Sequence, residues 1–165
     1  MMLAQYVVSL AVTAATLGIL AVIVYAKGSA RATHQMFALY YLAIAWWSGF
    51  EAISITRLSA PAALWWWRCN HIGVIFIPVF FVHFVITLLE PERKVRQEPL
   101  LLLSYALGLV FLGVNATPLL IEAVVPKPPF RYFLTPGPVY GAFFLWWITL
   151  AGYGLVMLFR VCARS

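Results

Sequence analysis

The sequence contains no aspartate and only five glutamates among its 165 residues. Acid and base catalysis needs side chains positioned to take up and release protons, and only one glutamate, Glu51, falls within a predicted membrane-spanning helix. The motifs H-E-x-x-H, the Walker loop, G-x-G-x-x-G and G-x-S-x-G are also missing. The sequence therefore predicts that this chain has no catalytic activity.

Cysteine and histidine are scarce as well. Cys69 and Cys162 lie at opposite ends of the predicted bundle and form no C-x-x-C pair, so no disulfide or zinc site is predicted. Haem held between histidines of facing helices is the main alternative. His71 and His83 share one apolar stretch, about 18 Å apart along a helix, and His34 lies at the edge of another. We therefore predict no cofactor and no metal, and we expect His83 to be a hydrogen-bonded interior residue.

Charged residues make up only 10% of the sequence, whereas apolar residues make up 64%, and the mean hydropathy is +0.94. Five stretches have no acidic or basic residue: 1–26, 32–50, 69–89, 99–121 and 132–159. Each stretch meets or nearly meets the roughly 20 residues that a helix needs to cross a bilayer. We predict an all-α, polytopic transmembrane bundle, one domain over residues 1–165, with helices at about 2–26, 34–56, 65–89, 99–119 and 138–161.

The eleven basic residues predict the orientation of this bundle. One side of the membrane would carry seven of them, namely Lys27, Arg31, Arg93, Lys94, Arg96, Arg160 and Arg164. The other side would carry four, namely Arg57, Arg68, Lys127 and Arg131. Basic residues favour the cytoplasmic side, so the N-terminus should be outside and the C-terminus cytoplasmic. The net charge of +6 is scattered among connecting segments, which argues against nucleic-acid binding.

Two connections should lie on the external side. Residues 57–64, with Ser59 and Pro61, predict a short turn that makes the second and third helices antiparallel neighbours. The fourth connection is the longest. Its prolines exclude a regular helix and predict a semi-rigid external cap: Pro126, Pro128, Pro129, Pro136 and Pro138.

Polar residues gather at one depth near the external side. Glu51 lies close to the outer end of the second helix, and Arg68, Asn70 and His71 begin the third. Ionisable groups inside a membrane usually face the bundle interior and find partners, which makes Glu51 and Arg68 a candidate ion pair. The alternative is that both side chains reach the interface and bind water.

Four tryptophans lie deeper in the predicted membrane. Trp46 and Trp47 belong to the second helix, and Trp146 and Trp147 to the fifth. They are candidates for the floor of a ligand cavity, although packing and lipid contact are the commoner roles of tryptophan at such depth.

The residues above resemble a known family, the seven-transmembrane N-terminal region of bacterial sensor histidine kinases. That family has an aromatic and acidic second helix, a Trp-Arg start to the third helix followed by Gly and Pro, and a Gly-Pro-aromatic entry to the fifth. The matching features are the stretch Trp-Trp-Ser-Gly-Phe-Glu at 46–51, Trp67-Arg68, Gly73, Pro78, Phe84 and the stretch Gly137-Pro138-Val139-Tyr140.

The resemblance implies a sensory module in the bacterial inner membrane that drives a cytoplasmic histidine-kinase output. By this resemblance the chain covers five of the family's seven helices, and we expect a truncated module without a phosphoacceptor histidine. The expected partners are the lipid bilayer, a small or lipophilic ligand of unknown identity and a second copy in a homodimer. A fragment of a small-molecule transporter is the alternative, in which pseudo-symmetric halves surround a site at the membrane midplane.

Overall fold

The computed structural model describes residues 2–89 and 91–163 and contains five long helices and one β-hairpin. The helices are α1 (Met2–Gly28), α2 (Ala32–Ile55), α3 (Ala60–Thr87), α4 (Pro91–Asn115) and α5 (Tyr140–Cys162). The strands β1 (Ile121–Lys127) and β2 (Phe130–Pro136) pair antiparallel between α4 and α5. All five helices contain a segment long and apolar enough to cross a membrane. The prediction of a polytopic helical bundle is confirmed.

Helix α3 is the centre of the bundle. It packs against α2, α4, α5 and both strands, whereas α1 packs on α2. Half of its most apolar segment is buried inside the protein, a larger share than in the other four described helices. The buried side chains of its second half, including Val79, Val82 and Val85, form one core cluster with Leu150 and Met157 of α5.

Two helices begin earlier than the sequence predicts. Helix α3 begins at Ala60 and not near residue 65, because Ser59 is extended and Pro61 occupies the first turn, where its missing N–H costs no hydrogen bond. The turn before α3 is therefore shorter than the predicted 57–64 connection. Helix α4 begins at Pro91 and not at residue 99, and Pro99 lies within it. Charged residues with good helix propensity carry α4 beyond its membrane-spanning part.

The proline-rich fourth connection is a β-hairpin, which the sequence interpretation did not predict. Both strands contain residues with high β propensity, such as Val124 and Val125 in β1 and Tyr132 and Phe133 in β2. Prolines are tolerated because both strands of a two-stranded sheet are edges. Pro126 lies at a shift in the pairing register, and Pro128 and Pro129 form the turn through a cis peptide bond. The segment predicted to be a semi-rigid cap without regular helix is therefore a pair of antiparallel strands with two shifts in register.

Gly137 joins the hairpin to α5 at a place where no side chain fits. Its amide nitrogen donates to Leu120 O at 2.9 Å, and a Cβ atom at this position would collide with the carbonyl oxygens of Pro118 and Leu119. Pro138 follows at once, and α5 begins at Tyr140. Gly137 and Pro138, predicted to be structural, thus form the tight connection between β2 and Tyr140, the first residue of α5.

Candidate functional site

A cavity of about 440 Å³ lies in the half of the bundle next to the hairpin, between α2, α3, α5 and β2. Its lining on α2 and α3 follows helical spacing, so one face of each helix contributes. The lining residues are Tyr40, Ile44, Trp47 and Glu51 from α2, Trp67, Asn70, His71, Val74 and Ile77 from α3, Phe133 and Leu134 from β2, and Tyr140 and Trp147 from α5.

Glu51 is the acidic side chain of this cavity, and it is only 8% exposed. The hydroxyl of Tyr6 in α1 donates a hydrogen bond to Glu51 Oε1 at 2.5 Å. Within the described part of the chain, no basic side chain forms a salt bridge with this carboxylate. Glu51 is thus a buried acid held by a tyrosine, in a cavity that is otherwise mostly aromatic and aliphatic.

The predicted ion pair between Glu51 and Arg68 is not formed. Arg68 does not line the cavity, and its Nε atom is buried without a hydrogen-bond partner. Its carbonyl oxygen accepts a hydrogen bond from Nδ2 of Asn115 in α4 at 2.8 Å. The reason is rotational: the face of α3 that follows Trp67 and His71 points to the cavity, and Arg68 is turned about 100° away from Trp67. Similar depth in the membrane did not bring the two charges together.

His71 is 2% exposed and is held by two elements. Its Nδ1 lies 3.0 Å from Trp67 O. A carbonyl oxygen only accepts, so Nδ1 carries the hydrogen and Nε2 of the neutral ring is the acceptor. The hydroxyl of Tyr140 lies 3.5 Å from Nε2, a long contact that links α3 to the start of α5. His71 therefore presents a hydrogen-bond acceptor on the cavity side.

Asn70 locks α3 to α2 beside the cavity. It is 1% exposed, and its Nδ2 donates to Trp47 O at 2.8 Å. The helices can approach this closely because of Gly73, where an added Cβ would lie 2.7 Å from Ala43 O and 3.0 Å from Trp47 N. Small residues at helix crossings allow such backbone contact in membranes. Gly73 thus lies where the backbones of α2 and α3 approach closely.

Two of the four candidate tryptophans line the cavity and the other two lie outside it. Trp47 and Trp147 line the cavity. Trp46 stacks on Phe50 and donates its indole N–H to Cys69 O at 2.8 Å, outside the cavity. Trp146 packs against Phe111, with ring centroids 5.1 Å apart. Consecutive residues of a helix point about 100° apart, so α2 and α5 could each supply only one of their two adjacent tryptophans to the site.

Pro78 creates a specific contact between α3 and the cavity wall. A proline inside a helix has no N–H and leaves the carbonyl of the residue four positions earlier without its usual donor, which here is Val74. The indole Nε1–H of Trp147 donates to Val74 O at 2.9 Å. A side chain of α5 thus replaces the missing backbone bond of α3, and the same side chain lines the cavity.

Sequence reasoning missed Tyr6, Tyr40, Trp67 and Tyr140 as members of this site. Tyr40 was detectable, because residues 40, 44, 47 and 51 share one helical face with Glu51. Tyr6 was not, since the first helix has no charged residue before Lys27 that would indicate which of its faces meets α2. His83 lies elsewhere and bonds Tyr105 through Nδ1 at 2.8 Å, as expected of an interior histidine.

Metal binding has no support in the described ranges, 2–89 and 91–163, which contain no group of three His, Cys, Asp or Glu side chains able to hold an ion.

A protein-family model described as the N-terminal 7TM region of histidine kinase matches residues 9–165. No curated protein and no solved structure matches the chain.

Proposed function

We propose that this chain is a membrane-embedded sensory module, because it belongs to the family of N-terminal 7TM regions of histidine kinases. It would detect an external or membrane-borne signal and pass that signal to a cytoplasmic output of the histidine-kinase type. The family model describes the region that precedes the catalytic part, so phosphoryl transfer would belong to the output. We assign the module to the bacterial inner membrane, with its C-terminal end in the cytoplasm, on the seven-to-four distribution of basic residues.

The observation that carries this proposal is the cavity around Glu51. Ionisable groups inside a membrane are costly and usually mark functional sites. The volume of the cavity, about 440 Å³, falls in the range of roughly 300–1,000 Å³ that is typical of small-molecule pockets. Polar groups at fixed positions among aromatic walls suit a small or lipophilic ligand, which the Glu51 carboxylate and His71 Nε2 would orient.

Trp147 offers a route from this cavity to the output. It contacts the cavity and also donates to the carbonyl that Pro78 leaves free. A ligand that displaces the indole would break the hydrogen bond from Trp147 to Val74 O, the only one described at that oxygen from outside α3. The packing of α5 against α3 would then change. Because α5 continues to Cys162, a change of tilt at Trp147 would reach the cytoplasmic end of the bundle. The two positions of the indole would be the two states that a signal selects.

The transporter alternative gains no support from the described residues. Secondary transporters commonly place their substrate between interrupted helices at the membrane midplane. Here α3 continues through Pro78 without a break, and the polar cluster lies near one end of the bundle.

The experiment that tests the proposal replaces Trp147 by phenylalanine in the histidine kinase that carries this region. Trp147→Phe keeps an aromatic ring but removes the N–H that binds Val74 O. Autophosphorylation in isolated membranes should differ several-fold from that of the unmodified kinase. Trp65→Phe is the matched control, because Trp65 is largely exposed and lies outside the cavity, so it should leave autophosphorylation unchanged. Equal effects of the two substitutions, or none from either, would contradict the proposed route.

A further inference from the structure

A second cavity of about 350 Å³ lies at the opposite end of the bundle from the hairpin, where α4 begins and α5 ends. Two arginines, Arg96 of α4 and Arg160 of α5, line it together with Gln97. The hydroxyl of Tyr153 donates to Gln97 Oε1 at 2.6 Å, which leaves the Gln97 amide nitrogen as a further donor. No carboxylate of a described residue lines this cavity. Its polar groups therefore suit an anion.

An apolar groove continues from this cavity along the membrane-spanning part of α4 and α5. The groove has a volume of about 380 Å³, and Tyr153 lines both spaces. It exists because the backbones of α4 and α5 each lie close to α3 but scarcely to one another in the described ranges, and aromatic packing such as Phe111 on Trp146 joins the two helices nearer the hairpin. Leu103 and Leu145 border the groove and remain more than half exposed.

These two spaces together have the shape and chemistry of a bound phospholipid. We infer that an anionic phospholipid of the cytoplasmic leaflet binds between α4 and α5, with its phosphate between Arg96 and Arg160 and one acyl chain in the groove. Arginine forms paired hydrogen bonds to phosphate oxygens, and basic pockets between helices on the cytoplasmic side are typical sites for anionic headgroups. Neither the polar cavity nor the groove alone would select a lipid, but their continuity at Tyr153 does.

The lipid site is separate from the sensory cavity and does not depend on it. It would tie the ends of α4 and α5 together where few side chains join them, since the Gln97 to Tyr153 bond is the described polar link there. The lipid would thereby set the position of the cytoplasmic end of α5.

Native mass spectrometry of the full chain in detergent tests this inference. The probes are phosphatidylglycerol and phosphatidylcholine with identical acyl chains. We expect phosphatidylglycerol to be retained on the order of tenfold more than phosphatidylcholine, because two basic side chains contribute to its binding. The double variant Arg96→Gln/Arg160→Gln should lose this preference. The double variant Lys27→Gln/Arg31→Gln removes the same charge from the same side of the membrane, outside the cavity, and should keep it.

Two further arms separate a lipid from a soluble anion. Ala142→Phe fills the apolar groove and should lower retention of phosphatidylglycerol, whereas excess inorganic phosphate should not displace the lipid. The inference is overturned if both lipids are retained equally, if the Lys27 and Arg31 control loses the preference as well, or if phosphate displaces the lipid while Ala142→Phe has no effect.

Discussion

At the scale of single residues, the site depends on which partner each buried polar group finds. Glu51 receives a hydrogen bond from Tyr6 in α1, and His71 contacts the Tyr140 hydroxyl. Arg68 instead points away from the cavity. The depth of Glu51, Asn70 and His71 was predictable from the sequence. Their partners were not, because a sequence gives depth along a helix but not the rotation of that helix against its neighbours.

The bond between Tyr6 and Glu51 predicts a measurable coupling. Tyr6→Phe and Glu51→Ala should each lower the free energy of unfolding in mixed micelles, and the double variant should lose less than the sum. The expected coupling is about 0.5–2 kcal/mol, as for interhelical hydrogen bonds in membranes. Unfolding by sodium dodecyl sulfate measures the four proteins of the cycle. Strict additivity would show that the bond contributes nothing to stability.

The same cycle applied to Glu51 and Arg68 should give the opposite result. The two side chains share no described partner, so the effects of Glu51→Gln and Arg68→Gln should add within about 0.5 kcal/mol. A coupling well above that value would mean that the carboxylate and the guanidinium do interact in the membrane.

At the scale of secondary-structure elements, α2 and α3 pack closely against one another, and Gly73 lies where their backbones approach. A methyl group at Gly73 would press on the backbone of Ala43 and Trp47. At Gly18 of α1, by contrast, an added Cβ would meet nothing within 4 Å. Alanine substitutions at Gly73 and Gly18 can therefore distinguish the effect of close helix packing from the effect of backbone flexibility.

Gly73→Ala should destabilise the bundle, whereas Gly18→Ala should not. Overpacking of this kind costs about 1–3 kcal/mol, and alanine at an open helical position stabilises by up to about 1 kcal/mol. Thermal unfolding in detergent compares the two variants with the unmodified chain. If Gly73→Ala unfolds at the same temperature as Gly18→Ala, the close approach of α2 and α3 is incorrect.

Pro78 and Trp147 make a second prediction at this scale. Pro78→Ala would restore the N–H that normally binds Val74 O, so the helix would compete with the indole for that carbonyl. Trp147→Phe should then cost less stability in the Pro78→Ala background than in the unmodified chain. Thermal unfolding of the four proteins measures this difference, and an equal cost in both backgrounds would show that the two donors do not share the carbonyl.

At the scale of the whole molecule, the five apolar helices, their order and the clustering of polar groups at one depth followed from the sequence, because uninterrupted apolar runs dictate helices in lipid. The hairpin did not, since prolines such as Pro126 indicate a helix stop without indicating what replaces it. The cavity itself required knowledge of packing around α3, the helix that touches most other elements. The architecture gives a site near one end of the bundle and a helix, α5, that leads from Trp147 to the other end.

The central claim is that occupancy of the cavity around Glu51 controls the output, and filling the cavity by mutation tests it most directly. Ile44→Phe adds volume inside the cavity, whereas Leu42→Phe adds the same kind of side chain on an exposed part of α2. Autophosphorylation of the kinase in membranes should change several-fold in Ile44→Phe, in the same direction as in Trp147→Phe, and should be unchanged in Leu42→Phe. Unmodified autophosphorylation in Ile44→Phe, with the protein folded, would contradict the account.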